Sequence, residues 1–416
     1  MRLALSPVRS SLFTVLLAVA VAACSSGPGD SLYVPDPVRN MAPVIESVTP
    51  SGVVLAGIDV ITITGRNFST TLSDNLVTFD DGLGAAARGE VLEATATQLR
   101  VRVPNLPNSA LRLRVAVLGA PDYSNTWDLP LLSAAVPFGD LDDGTDEAVS
   151  GITSDASGTL YASLVRDGNS LGIVTFSPDG VRMPYFNTPF PWVDLAVGTD
   201  GVLYGVRRIR ALFQLPAGSA QVTFATLPLG VALSAIVAAP NGDLWTAGTG
   251  SATPSLYRVR PDRSTSSVPF ALPVRDLAIA AGALHVAAGD STSNQVWRFP
   301  FAADGSITSG TVVFDVTAAV GPDVDVSTIA VATDGTIFVG LTGRTGAGPF
   351  DPIWEVPASG TPAPLYPGVL TPPVSGFAWG LGSQLYVAKA PIAATADQRA
   401  VPAQLLRLET RRPGPN

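Results

Sequence analysis

The chain has 416 residues, 46% of them hydrophobic and 14% charged, with 40 Gly and 36 Pro. That length accommodates two or three domains with packed cores, and the abundance of Gly and Pro excludes a mainly helical architecture, because helix interiors disfavour both. The formal net charge of −9 excludes nucleic acid as an expected partner, since displacing counterions from phosphates needs a positive surface.

Residues 1–23 carry Arg2 and Arg9 ahead of an apolar run from Leu12 to Val21, followed by Ala22, Ala23 and Cys24. This is the layout of a secretory signal, with an apolar run too short to span a bilayer as a helix. Val21-Ala-Ala-Cys24 resembles the bacterial lipobox, which implies a lipid on the Cys24 thiol and membrane attachment through it. Cys24 is the sole cysteine, so the expected chain has no disulfide and no cysteine-based metal site. Ser25 after the cysteine resembles the outer-membrane sorting pattern of a Gram-negative cell. Residues 24–42, rich in Ser, Gly and Pro, are expected to form a tether reaching roughly 60 Å when extended.

From residue 43 to 131, short apolar runs alternate with polar positions, as in Val60-Ile-Thr-Ile63, Leu76-Val-Thr-Phe79, Leu99-Arg-Val-Arg-Val103 and Leu111-Arg-Leu-Arg-Val115. Period-two alternation broken by turn residues predicts half-buried strands, and this many in under a hundred residues predict a β-sandwich. Pro43-Val-Ile-Glu-Ser-Val-Thr-Pro50, Ile61-Thr-Ile-Thr-Gly65-Arg-Asn-Phe68 and Thr97-Gln-Leu-Arg-Val-Arg-Val-Pro104 resemble the IPT/TIG family of Ig-like domains. The resemblance implies a surface spacer or interaction module without catalysis. It also implies that Asn67-Phe68-Ser69 is a turn rather than a glycosylation site.

Residues 132–410 contain a pattern that recurs six times: an apolar anchor, then an aliphatic residue in a Gly-containing phrase, then an aromatic or His. The anchors are Ile152, Leu195, Ile236, Leu277, Ile329 and Phe377; the phrases run from Gly158-Thr-Leu-Tyr161 to Gly382-Ser-Gln-Leu-Tyr386. Third strands follow, such as Val174-Thr-Phe176 and Leu406-Arg-Leu408, and fourth strands follow all but the last, among them Val268-Pro-Phe270 and Pro364-Leu-Tyr366. The sixth repeat instead runs into a tail over residues 411–416. Val136-Pro-Phe138, upstream of the first repeat, repeats the wording of Val268-Pro-Phe270 and is expected to supply the missing strand, which would remove the last open edge. The expectation is an all-β chain: an Ig-like β-sandwich plus a six-bladed β-propeller closed by an N-terminal strand. The repeats resemble NHL and SMP-30-like propellers.

Chemistry is expected where the innermost strands enter the channel, on the face shared with the insertions Asp290–Asn294, Thr342–Phe350 and Ala390–Gln404. Two residues before the anchors stand Ser150, Val193, Ser234, Arg275, Ser327 and Ser375; one residue before stand Gly151, Asp194, Ala235, Asp276, Thr328 and Gly376. SMP-30-like lactonases hold a divalent metal with Glu, Asn and Asp around the channel. No Asp, Asn or Glu occupies the first of these rings here, which argues against that activity because a hard cation needs several converging oxygens. Asp194 and Asp276 are read first as caps on loop amides and second as contacts for a polar ligand or metal.

Asp140-Leu-Asp142-Asp143-Gly-Thr-Asp146 is the densest acidic stretch, one residue short of a calcium-loop spacing, and is read as a solvated loop before a metal site. His285 is the single histidine and is read as packing, which excludes Ser-His catalysis and His-based metal clusters. Trp245, Trp297 and Trp354 are read as blade packing, and the preference for arginine over the lone Lys389 as genome composition. The function expected is a lipid-anchored, non-enzymatic binding or scaffolding protein of the envelope, without a resident cofactor, facing an envelope protein or small ligand. The alternatives are a metal-dependent lactonase or esterase-type hydrolase in the channel, and a structural or adhesion component.

Overall fold

The structure is a computed structural model that describes residues 41–141, 147–249, 255–345, 347–394 and 400–415. The signal segment, Cys24, the tether before residue 41, and Asp142, Asp143 and Asp146 lie outside the described residues. The chain divides into two compact units at Leu132/Ser133.

The regular structure of the first unit is strand apart from one short 3-10 turn at Leu72–Asp74. β1 (Val44–Thr49), β2 (Val54–Leu55), β3 (Val60–Arg66), β4 (Asn75–Asp80), β5 (Ala86–Ala94), β6 (Gln98–Arg102), β7 (Arg112–Val117), β8 (Trp127–Asp128) and β9 (Leu131–Leu132) follow the alternation of the sequence. Ile61, Ile63, Val77, Phe79, Leu99, Val101, Leu113 and Val115 point inward and are fully buried; each contributes about 1.5–3 kcal/mol of transfer free energy.

The layers are not two separate sheets but one barrel-like sheet in the order β1-β3-β6-β5-β4-β7-β8. β5 makes the turn, pairing with β4 through Val77↔Gly89 and with β6 through Val91↔Val101. A Cβ on Gly89 would lie 2.6 Å from Val101 and 2.9 Å from Phe79, so glycine lets the strand bend inward over the core. β5 was not among the runs expected from sequence, because it is mostly exposed and only Val91 and Ala94 pack on the core. The Gly65-Arg-Asn-Phe68 phrase is a turn: Asn67 adopts φ +64°, its side chain donates to the Ala42 carbonyl at 2.9 Å, and Phe68 is buried.

The second unit is a six-bladed propeller of four-stranded antiparallel sheets. The innermost strands a, one per blade, are Glu147–Ser154, Asp194–Val197, Leu233–Ala238, Val274–Ala280, Val324–Val331 and Gly376–Trp379, and each contains its expected anchor. In the sixth blade the outer strand is Ala135–Pro137, pairing antiparallel with Gln404–Glu409 through Ala135↔Leu408, Val136↔Arg407 and Pro137↔Leu406. Pro137 is tolerated because it sits on an edge strand. Phe138 then turns into the core, its ring centroid 4.5 Å from that of Tyr386.

Two outer strands differ from expectation. In blade 3 the strand is Thr265–Pro269, and Phe270 leaves it to pack on Trp297 and Phe299. In blade 5 the strand is Ala363–Pro364; the Leu365 amide still bonds the Ile353 carbonyl at 2.9 Å, after which Tyr366 takes φ +51° and sends its hydroxyl to the Glu409 carbonyl at 2.9 Å. The cores lie between neighbouring blades, as where Trp245 of blade 3 packs among Leu284, Val286 and Phe299 of blade 4.

Candidate functional site: the neck and mouth of the channel

The residues just before the anchors converge. Ser150, Asp194, Ser234, Arg275, Asp276, Ser327 and Ser375 all line one narrow neck of about 50 Å³. Their polar atoms are largely engaged with backbone, and the engagement alternates around the ring.

In odd-numbered blades the serine two before the anchor reaches the next blade. Ser150 Oγ donates to the Trp192 carbonyl at 2.9 Å, Ser234 Oγ to Val274 at 2.6 Å, and Ser327 Oγ to Val374 at 2.6 Å. In blades 2 and 4 the aspartate one before the anchor does the corresponding work from the acceptor side. Asp194 accepts the amides of Leu195 at 2.8 Å and Ile236 at 2.7 Å. Asp276 accepts those of Leu277 at 2.7 Å and Ile329 at 2.8 Å, and the Thr328 hydroxyl at 2.6 Å.

Both aspartates therefore hold strand amides of two successive blades, not the loop amides expected. Ser375 stays within blade 6, donating to Ala388 at 3.1 Å, and the junction to blade 1 is made by Ser154 Oγ on the Trp379 carbonyl and Tyr386 Oη on Gly158 at 3.1 Å. A Cβ on Gly151 would stand 3.0 Å from the Asp194 backbone, so glycine eases the close approach of the two inner strands there.

Burial in the neck raises the Asp194 carboxyl well above its ordinary range, and the facing Asp276 adds to this. Burial likewise raises Asp276, against the opposing pull of its hydrogen bonds. Among the described residues no three His, Cys, Asp or Glu side chains form a group able to hold a metal ion. Asp140 is exposed, and its carbonyl accepts from Arg182 at 3.1 Å. His285 is fully buried with Nδ1 unpartnered, and burial first, then Arg298, lowers its pKa to about 4.

Below the neck lies a cavity of about 230 Å³ walled by the anchors and their successors. Its far end is approached by the C-terminal tail: Pro413 accepts the Thr333 amide at 3.0 Å, Gly414 donates to Gly382 at 2.9 Å, and Pro415 lines the cavity. Arg412 pins this segment by ion pairs to Asp334 and Glu355, each at 3.0 Å.

Above the neck a third cavity, about 360 Å³, opens toward the loops between strands b and c. Its wall includes Ser150, Ser234, Ser327 and Arg275, and also Arg208, which sequence reasoning missed. The signal was present as Arg207-Arg-Ile-Arg210, three arginines in four positions of a chain otherwise sparing in charge. Arg207 is not part of that wall; its guanidinium lies 4.4, 4.7 and 5.1 Å from the rings of Phe190, Phe213 and Trp192.

Fold and site together define a two-module, all-β protein: an Ig-like module and a propeller whose channel neck is stapled blade to blade and whose mouth holds a polar cavity. Residues 43–127 match the IPT/TIG domain family. No curated protein matches the chain. Among solved structures it is similar to an auxiliary nutrient binding protein from Bacteroides thetaiotaomicron, at 11% identity over 90% of this chain and 98% of that one, TM-score 0.48. It is also similar to a gluconolactonase from Xanthomonas campestris, at 16% identity over 64% of this chain and 87% of that one, TM-score 0.47. An aldose sugar dehydrogenase from Streptomyces coelicolor, bound to PQQ, is similar at 15% identity over 66% of this chain and 97% of that one, TM-score 0.47.

Proposed function

We propose that this chain is an exported, lipid-anchored binding protein of the bacterial envelope, held through Cys24 in the outer membrane of a Gram-negative cell. The Ig-like module is its spacer, and the propeller face bearing the b–c loops receives a small ligand or an envelope protein without chemical turnover or a resident cofactor. One observation carries the binding role: the neck carboxylates and hydroxyls are committed to holding blades together, while a cavity of about 360 Å³ opens directly above them on the loop face. A volume in this range is that of a small-molecule pocket. The anchor is supported by Val21-Ala-Ala-Cys24 and by the absence of any second cysteine.

The test compares the full chain with variants shortened in Asp290–Asn294, Thr342–Phe350 and Ala390–Gln404. Lost capture of envelope partners or ligands with an unchanged melting temperature supports the reading; undiminished capture overturns it. Metal analysis addresses the rival hydrolase in the same preparation. A stoichiometric divalent ion that disappears in the Asp194→Ala, Asp276→Ala double variant would replace binding by metal-dependent hydrolysis as the better account.

A further inference from the structure

The cavity above the neck carries information about what enters it. Seven arginines of the described chain form ion pairs within the propeller or the Ig-like module at Asp80, Glu147, Asp243, Asp325, Asp334 or Glu355. Arg208 and Arg275 do not: among the described residues neither guanidinium makes an ion pair or hydrogen bond, both are exposed, and both line this cavity. The acid on the same wall, Asp325, is already neutralised by Arg344 at 2.5 Å. Two positive forks thus stand, among the described residues, without an ion-pair partner in a protein of net charge −9.

Both are held in place from behind. Arg208 follows Arg207, which is wedged among three aromatic rings. Arg275 lies between Val274, whose carbonyl takes the Ser234 hydroxyl, and Asp276, which clamps the next blade.

The hydroxyls complete the pattern. Ser234 and Ser327 each direct their one proton to a carbonyl, and the Ser150 proton is taken within a cluster of the Trp192 carbonyl and the Ser163 carbonyl and hydroxyl, so what these oxygens have left for a ligand is accepting capacity. Guanidinium forks match the two oxygens of a carboxylate, and lone pairs match hydroxyl donors. Resting on the binding role proposed above, we infer that the mouth binds a small carboxylate that also carries hydroxyl groups, with Arg208 and Arg275 on the carboxylate and the three serines on the hydroxyls.

The experiment is calorimetric titration of the full chain with glucuronate, glucose and inorganic sulfate, repeated on Arg208→Gln and Arg275→Gln. The expected result is binding of glucuronate in preference to both other probes, weakened at least tenfold in each variant while the melting temperature holds. Equal binding of glucose, preference for sulfate, no binding of any probe, or indifference to both substitutions each overturns the inference. Those outcomes leave the wider binding role standing as long as loop shortening still abolishes partner capture, so the two failures are separable.

Discussion

The Asp194 carboxylate lies 2.7 Å from the backbone nitrogen of Ile236, so one side chain of blade 2 holds the innermost strand of blade 3. Asp276 repeats the relation two blades on, with Ile329. Serines in blades 1, 3 and 5 make the intervening junctions through carbonyls. Five of the six junctions are thereby held at the narrowest circumference by alternating donors and acceptors, and the junction from blade 6 to blade 1 is made by Ser154 and Tyr386.

Asp194→Ala leaves the Leu195 and Ile236 amides without their acceptor at the neck. Each stranded donor costs about 1–3 kcal/mol, less where channel water reaches it, so urea denaturation is expected to show a loss of about 2–4 kcal/mol. A loss below about 0.5 kcal/mol, the scale of an ordinary surface substitution, would show that the staple is dispensable.

The same residue sets a pH dependence. Burial and Asp276 hold its folded pKa above the unfolded value of about 3.9, so the folded protein keeps this proton more tightly than the unfolded chain. The resulting stability is complete below the unfolded pKa and declines as pH rises through the folded one. Asp194→Asn has no such proton, and its stability curve is expected to lack that decline when measured from pH 3.5 upward.

His285 acts at the other limb. Its pKa falls to about 4 in the folded protein from 6.5 unfolded, so the unfolded chain takes up the proton first and stability drops as pH falls from 6.5 toward 4. The expected loss between pH 7.5 and 4.5 is about 2–3 kcal/mol from this group. In His285→Phe, which suits a slot filled by Tyr, Trp or Phe in the other blades, that portion of the acid-side loss disappears.

Closure of the sixth blade depends on a short segment with one large anchor. Phe138→Ala removes a buried ring packed on Tyr386 and 6.1 Å from that of Phe176, at a cost of about 3–5 kcal/mol. Hydrogen exchange is expected to accelerate first at Phe138 and in strand Gln404–Glu409, whose Leu405 carbonyl takes the Phe138 amide at 2.8 Å. Uniform acceleration around all blades would contradict a local role in closure.

Arg412→Ala unpins the tail. Its ion pairs are partly exposed, so global stability is expected to change by no more than about 1 kcal/mol. The Thr333 and Gly414 amides, bonded across the tail, are expected to lose exchange protection, and unchanged protection would show that the tail is held by its backbone alone.

Much of this was legible in the residues. Period-two alternation identified most strands of the Ig-like module, and β5 escaped because only Val91 and Ala94 pack on the core. The six anchors fell on the six innermost strands, and Val136-Pro-Phe138 announced the closing strand because it repeats the wording of another blade's outer edge. Blade 5's outer strand was over-read at Pro364-Leu-Tyr366, where composition could not reveal that Tyr366 turns away toward Glu409. Arg208 was passed over because its neighbours in sequence are also arginines, and only contacts show that Arg207 is sheathed in rings while Arg208 faces open space.

What the sequence by itself determined was the set of blades, their order and the identity of the residues ringing the channel, because side-chain alternation and repeat spacing are properties of the chain alone. The tertiary structure decided what those residues do. A serine or aspartate one or two positions before an anchor becomes a staple only when the next blade, some forty residues away, brings a carbonyl or amide within reach. Arg208 and Arg275, far apart in the chain, come to line one cavity only through folding, which also pairs the acid on that wall, Asp325, with Arg344.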